Sequence, residues 1–313
     1  MEEEIPEIFD RSFKLLMMST NETVIASINA LFGMKHPLNS AVSYPNTEYI
    51  APNLDKRQAD MLIVIEDNKY LIECQTHNDE TIAIRMFRYG LAEGERSKSV
   101  EDGIMTVCFP QTMLIYLEST QAARDTLMLD LRFPDGGSYR YTCPVFKVLE
   151  HRAEELERQG LIILLPFYLL KLRRPLETTV NDEKRKSLIA EVKKLRNDLH
   201  ETINRTAGAG LINGKDAETI RKILDYIYKQ VYNKYREVQE GEMADGQTVY
   251  NAETFNVFES LVMQRKEWEL KARENERQRQ ESERQRQELE KKLQESERQR
   301  QELEQKLQQK GML

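Results

Sequence analysis

Cysteine is scarce in this chain: Cys74, Cys108 and Cys143 are the only three in 313 residues. An odd count with no Cys-x-x-Cys pair indicates neither a disulfide framework nor a cysteine zinc site, and reads as reduced thiols in a cytoplasmic protein. Histidine is equally thin. His36, His77, His151 and His200 are scattered and form no His-Glu-x-x-His pair, so a zinc-hydrolase helix is excluded. Long apolar runs are missing as well. The stretch 161–170 is too short to span a bilayer and contains Pro166, so it reads as a buried helix, and no membrane partner is expected. Glu2, Glu3 and Glu4 open the chain where a secretory signal would need an apolar segment. Finally, a surplus of positive charge is absent. Residues 1–175 hold 19 Lys/Arg against 26 Asp/Glu, and residues 176–313 hold 27 of each. That balance argues against binding nucleic acid through a broad basic surface.

What the chain does hold is a hydrophobic content of 40%, enough for a sizeable core, and one unusual hairpin. Two β-branched, apolar runs, 59–66 and 69–75, flank Asp67-Asn68, both of which tolerate positive φ. A two-residue turn there pairs Glu66 with Lys69, Val64 with Leu71, Leu62 with Glu73 and Asp60 with Gln75. Alternation then projects Asp60, Glu73 and Gln75 from one face, with the β-carbons of directly opposed residues about 4.5–5.5 Å apart. Two carboxylates so close repel unless a proton or cation lies between them. Mg²⁺ fits such oxygen donors, with Mn²⁺ as an alternative, and a metal held there polarises a phosphoryl oxygen and activates water. Gln75 cannot act as a base, but its amide can orient water or phosphate. Local roles compete: Asp60 as a strand cap, Glu73 as a rim residue. An unpaired charge inside Leu71-Ile72-Glu73-Cys74 would be expensive, which favours a partnered site.

Ser19-Thr20-Asn21-Glu22 has the capping-box pattern and opens a helix with Val24, Ile25, Ile28, Leu31 and Phe32 on one side. Glu22 is a candidate additional acid, although the cap explains it locally. Glu48, in a short strand around 46–50, is another. Asn78 or Asp79 caps a helix over 80–93, where Arg85, Arg88 and Tyr89 share a face and Arg85 or Tyr89 can support phosphate. Strands follow at 105–109, 113–117, 127–132 and 139–148, the last two around Pro134-Asp135-Gly136-Gly137.

Beyond residue 150 the pattern turns helical, with amphipathic helices over 182–205 and 216–236 and a long helix from about 252. Residues 281–294 recur at 295–308 with one change, Lys291 to Gln305. The 14-residue period is two heptads, but Ser296 and Arg300 interrupt the apolar seam, leaving a weak coiled coil and a solitary charged helix equally open. Self-association through this tail, giving a homo-oligomer, is one expectation it raises.

Asp60 followed by Glu73-x-Gln75 resembles the PD-(D/E)XK nuclease motif in its Asp…Glu-x-Gln form, closest to the Rpn-like group of recombination-promoting nucleases and transposase-like proteins. Phe9-Asp10-Arg11-Ser12-Phe13-Lys14, Ile28-Asn29-Ala30-Leu31-Phe32 and the Arg85–Tyr89 helix fit the same pattern, so the resemblance covers roughly residues 5–175. Ala59 stands where the family name has proline, and Gln75 where it has lysine, which removes a positive charge. The resemblance implies an α/β, restriction-endonuclease-like mixed β-sheet flanked by helices over 1–175; the helical pattern and the repeat add a helical region over 176–240 and the charged helix or coiled coil over 250–313. It implies a Mg²⁺-dependent DNA endonuclease, with Asp60 and Glu73 on the metal, Gln75 on the water, and Arg85 and Tyr89 on the phosphate. A catalytically inactive module binding DNA or protein is the competing expectation.

Overall fold

The computed structural model describes residues 5–45, 48–50, 56–118, 123–235 and 238. The tail repeat, the long helix expected from residue 252 and any self-association through them lie outside those residues. In chain order the α-helices are α1 Ile5–Leu16, α2 Asn21–Phe32, α3 Ile82–Arg96, α4 Ala153–Arg158, α5 Arg173–Thr178, α6 Asp182–Gly208 and α7 Gly214–Tyr232. The strands are β1 Val42–Ser43, β2 Glu48–Ile50, β3 Lys56–Gln58, β4 Met61–Ile65, β5 Asn68–Gln75, β6 Ser99–Glu101, β7 Ile104–Thr106, β8 Gln111–Tyr116, β9 Thr126–Arg132 and β10 Ser138–Lys147.

The protein is mixed α/β. Its six-stranded sheet has the order β1-β4-β5-β8-β10-β9. The centre is parallel, β5 with β8 and β8 with the end of β10, while β1, β4 and β9 run antiparallel to their neighbours. A parallel β5–β8 pair requires a crossover, and α3 supplies it. Alternation divides the strands between two layers. Leu62, Leu71, Leu114, Tyr116, Tyr141 and Cys143 cluster with Ile82, Met86 and Tyr89 of α3 on one face. On the other, Tyr70 of β5 packs against Phe32 of α2, with ring centroids 4.8 Å apart. Each fully buried Leu or Ile in these layers contributes about 1.5–3 kcal/mol.

Glycine permits the closest approach in the α3 layer. Gly90 and Gly94, one turn apart, face the segment leading into β8, and a β-carbon on Gly94 would lie 2.5 Å from Val107 Cγ1 and 3.0 Å from the Cys108 carbonyl oxygen.

Several local expectations are corrected. The β4–β5 turn is Glu66-Asp67, not Asp67-Asn68: Ile65 pairs with Asn68 and Met61 with Ile72. Glu66 itself takes the positive φ, 56°. Contacts from outside the hairpin fix that bend, since Glu66 N–H donates to Ala41 O at 3.3 Å and Ser40 Oγ donates to Glu66 Oε1 at 2.9 Å. The register therefore moves by two residues, which keeps every side chain on its face but sets Asp60 opposite Glu73 rather than Gln75. At α2 the N-cap is Thr20, and Ser19 instead donates to Leu16 O at 2.7 Å, so the capping box is not formed. The apolar stretch folds as a 3₁₀ segment, Ile162–Leu172, buried along most of its length, because Pro166 within it cannot donate to an α-helical ladder.

Helix α7 packs against that 3₁₀ segment and against α1, and Tyr232 hydroxyl donates to Leu169 O at 2.5 Å. No described helix is long and apolar enough to cross a membrane.

Candidate metal centre

The candidate site lies where β4 begins and β5 ends, at the carboxyl end of the parallel strands, where open α/β sheets commonly place ligands. Two hydrogen bonds lock the arms together: Asp60 N–H donates to Glu73 Oε2 at 3.1 Å, and Cys74 N–H donates to Asp60 Oδ2 at 2.8 Å. Asp60 stands one residue before β4, so its carboxylate is free of the strand ladder and turns toward the Cys74 amide. Glu73 is 1% exposed.

Helix α3 delivers the cation. Arg85 donates through Nη2 to Glu73 Oε1 and through Nη1 to Asp79 Oδ2 at 2.9 Å, and is hydrogen-bonded to Tyr89. Asp79 is fixed in turn, its Oδ1 accepting from Thr81 N–H at 2.8 Å and Thr81 Oγ1 at 2.7 Å just before α3 begins. Helix α1 delivers two groups that the sequence did not mark as site residues. Lys14 Nζ lies 2.8 Å from Asp10 Oδ2 and 3.5 Å from Asp60 Oδ1. Four carboxylates, Asp10, Asp60, Glu73 and Asp79, thus meet two cations, Lys14 and Arg85.

Burial dominates the proton affinities of the pair. Burial pushes the Asp60 carboxyl well above the usual carboxylate range, and the Glu73 and Asp10 carboxylates push it further, against Lys14 and the Cys74 amide. Burial also raises Glu73, with Arg85 opposing.

The sequence candidates divide accordingly. Asp60, Glu73, Arg85 and Tyr89 come together. Gln75 is half-buried on the same β5 face as Glu73, opposite Tyr116 of β8. Glu22 is exposed in the first turn of α2 and is not part of the hydrogen-bonded cluster. Glu48 lies in β2 opposite Gln58, and its side chain is outside the described residues. Arg88 is exposed. Asp10 and Lys14 were missed because only the packing of α1 brings them to β4. The Asp10-x-x-x-Lys14 spacing by itself describes an ordinary surface ion pair.

Oxygen donors such as Asp10, Asp60 and Glu73 suit a hard cation such as Mg²⁺, although the group whose ligand atoms lie within 4.8 Å of one another among the described residues is Asp10, Asp60 and Cys74, without Glu73. Asp10 Oδ1 supports that fit, being a buried oxygen with no hydrogen-bond partner among the described residues. Cys74 Sγ lies within 4.8 Å of carboxylate oxygens of Asp10 and Asp60. Burial, with Asp60 next, pushes that thiol well above its ordinary pKa, so it stays protonated and is a poor metal donor.

Fold and site together define an α/β protein with an acid-rich carboxylate pair, Glu73 buried and Asp60 largely so, at the end of its central strands. Compared with protein-family models, with curated proteins and with solved structures, the chain gives no match.

Proposed function

We propose that this chain is a Mg²⁺-dependent DNA endonuclease of the restriction-endonuclease-like class, related to the Rpn-like nucleases and acting in the cytoplasm, with Mn²⁺ able to replace Mg²⁺. The observation that carries the proposal is the Asp60–Glu73 pair: a buried Glu73 and a largely buried Asp60 at the ends of adjacent strands, each carboxylate accepting a backbone N–H from the other arm, where acids outnumber cations. Asp60 and Glu73 hold the metal, and Asp10 is added to them by its unpartnered oxygen. A divalent ion supplies charge neutralisation at the phosphoryl group and lowers the pKa of bound water. Gln75 orients that water. Arg85, steadied by Asp79 and Tyr89, stands beside Glu73 as the group that holds the phosphate. Plasmid nicking with and without Mg²⁺ tests this directly. Asp60→Ala and Glu73→Ala are expected to abolish metal-dependent nicking, and undiminished nicking by either protein refutes the assignment.

A second reading has its own support. Arg85 already occupies Glu73 Oε1, and Lys14 already faces Asp60, so the cluster is partly neutralised from within. On that reading the chain is an inactive nuclease-fold module that binds DNA or protein and associates through its tail. Calorimetry separates the two: retained DNA binding with no Mg²⁺ or Mn²⁺ heat favours the module.

A further inference from the structure

Gln75 leaves the outer end of β5 without a cation, and a different element supplies one. Helix α1 is anchored by Phe9 and Phe13, 1% and 0% exposed, with Phe13 packed on Phe167 at a centroid distance of 6.4 Å. That anchoring aims the Asp10–Lys14 edge of the helix at the start of β4. An i,i+4 pair on an open helix surface would be a minor stabiliser. Here the Lys14 side chain is only 12% exposed, and its ammonium makes a second contact, 3.5 Å from Asp60 Oδ1, across to the sheet. The other cation of the cluster, Arg85, is divided among Glu73, Asp79 and Tyr89 on the opposite side.

We propose that Lys14 is the catalytic cation of the site, delivering from α1 the positive charge that Gln75 does not provide on β5. The proposal rests on the hydrolase reading. In that reaction the water oxygen bonds to phosphorus while the bond from phosphorus to the leaving nucleoside oxygen breaks. One water proton ends on the leaving oxygen, and the other stays with the phosphate product or passes to solvent. Lys14 keeps its proton throughout and stabilises the negative charge that builds on the phosphoryl oxygens. Asp10 holds the ammonium one helical turn away, so that it does not collapse fully onto Asp60. Removing one such preorganised donor typically lowers kcat by about 10²–10³.

The test uses the full chain with Lys14→Met, Gln75→Lys and the double variant, reading single-turnover nicking at saturating Mg²⁺, Mg²⁺ affinity by calorimetry and the thermal midpoint. Lys14→Met is expected to lose about 100-fold in rate while staying folded at the assay temperature, as the thermal midpoint reports. It should bind Mg²⁺ at least as tightly, because an ammonium beside Asp60 repels a dication. Gln75→Lys in that background should restore at least a tenth of the parent rate. Nicking within about threefold of the parent, a loss that Gln75→Lys does not relieve, or weaker Mg²⁺ binding by Lys14→Met each overturn the assignment; the last would mark the lysine as a brace for the carboxylates. If the parent chain itself does not nick, the hydrolase reading falls and the lysine assignment with it. If the parent nicks and Lys14→Met nicks equally, only the lysine assignment falls.

Discussion

Asp216→Ala should destabilise the sheet and the C-terminal helices together. Asp216 is 3% exposed, and its carboxylate accepts four donors: Thr20 N–H at 3.1 Å, Thr20 Oγ1 at 2.5 Å, Thr23 Oγ1 at 2.6 Å and Asn213 Nδ2 at 3.2 Å. Thr20 caps α2 and Asn213 caps α7, so one anion serves the N-termini of two helices nearly two hundred residues apart in sequence. Hydrogen bonds to a charged group contribute about 1.5–3 kcal/mol each, but neighbours are not additive. Some donors also regain partners, since Asn213 Nδ2 already donates to Thr20 Oγ1 at 2.8 Å. The expected net loss is about 3–5 kcal/mol, the range found when one member of a buried charged network is removed. At about 2–4 °C per kcal/mol for a unit of this size, the midpoint should fall by roughly 10 °C. Urea unfolding followed by far-ultraviolet circular dichroism, with calorimetry beside it, should show one transition moving as a whole. Asp216→Asn, which keeps an acceptor and loses the charge, should fall between parent and Ala. A loss under about 1 kcal/mol, or two transitions of which only one moves, would refute the idea that this carboxylate joins α7 to the N-terminal layer.

Two further outcomes follow from the site and its surroundings. The raised folded-state affinities of Asp60 and Glu73 mean that the native state holds protons the unfolded chain releases, so their contribution is full below the ordinary carboxylate range, about 4, and is lost as pH rises through the elevated values. Asp60→Asn should therefore gain thermal stability relative to the parent as pH is raised above that range; a difference independent of pH would contradict the sign. Gly94→Ala would drive a β-carbon into Val107 and the Cys108 carbonyl, a backbone atom that cannot rotate away. It should cost about 1–3 kcal/mol in urea titration, as overpacking does, and a neutral result would show that the α3 layer can open.

Much of the sheet was legible because its signal is local. β-Branched apolar runs located β4 and β5, and the Pro134–Gly137 cluster located β9, β10 and the turn between them. The hairpin register was not, because the turn chemistry favours Asp67-Asn68, whereas the structure puts the positive φ on Glu66. The choice is made by Ser40 and Ala41, residues outside the hairpin. The error of two left the Asp60–Glu73 face intact, since side chains repeat with that period. The α1 contribution was hidden for a stronger reason: Asp10 and Lys14 reach Asp60 only through the packing of Phe13 on Phe167, a contact that no local pattern announces. The α2 cap was similarly misplaced on Ser19, because the residue that takes the cap position, Thr20, has its partner in Asp216 rather than in its own helix.

The acidity that argues against DNA binding in residues 1–175 looks different once part of it is located. Asp10, Asp60, Glu73 and Asp79 concentrate four negative charges around Lys14 and Arg85; Glu73 and most of Asp60 are withdrawn from water, while Asp10 and Asp79 stay partly exposed. Protein interiors do not hold such an excess unneutralised: the carboxyls take up protons, or a cation enters. Burial is the first cause of the raised proton affinity of Asp60, with the Glu73 and Asp10 carboxylates adding to it, and the proposed Mg²⁺ site would relieve that carboxylate repulsion. An approaching phosphodiester would meet the metal and its flanking cations rather than the bare acids. Bulk charge is thus a poor guide here, because the charges that would by themselves repel DNA are those that would hold the ion attracting it.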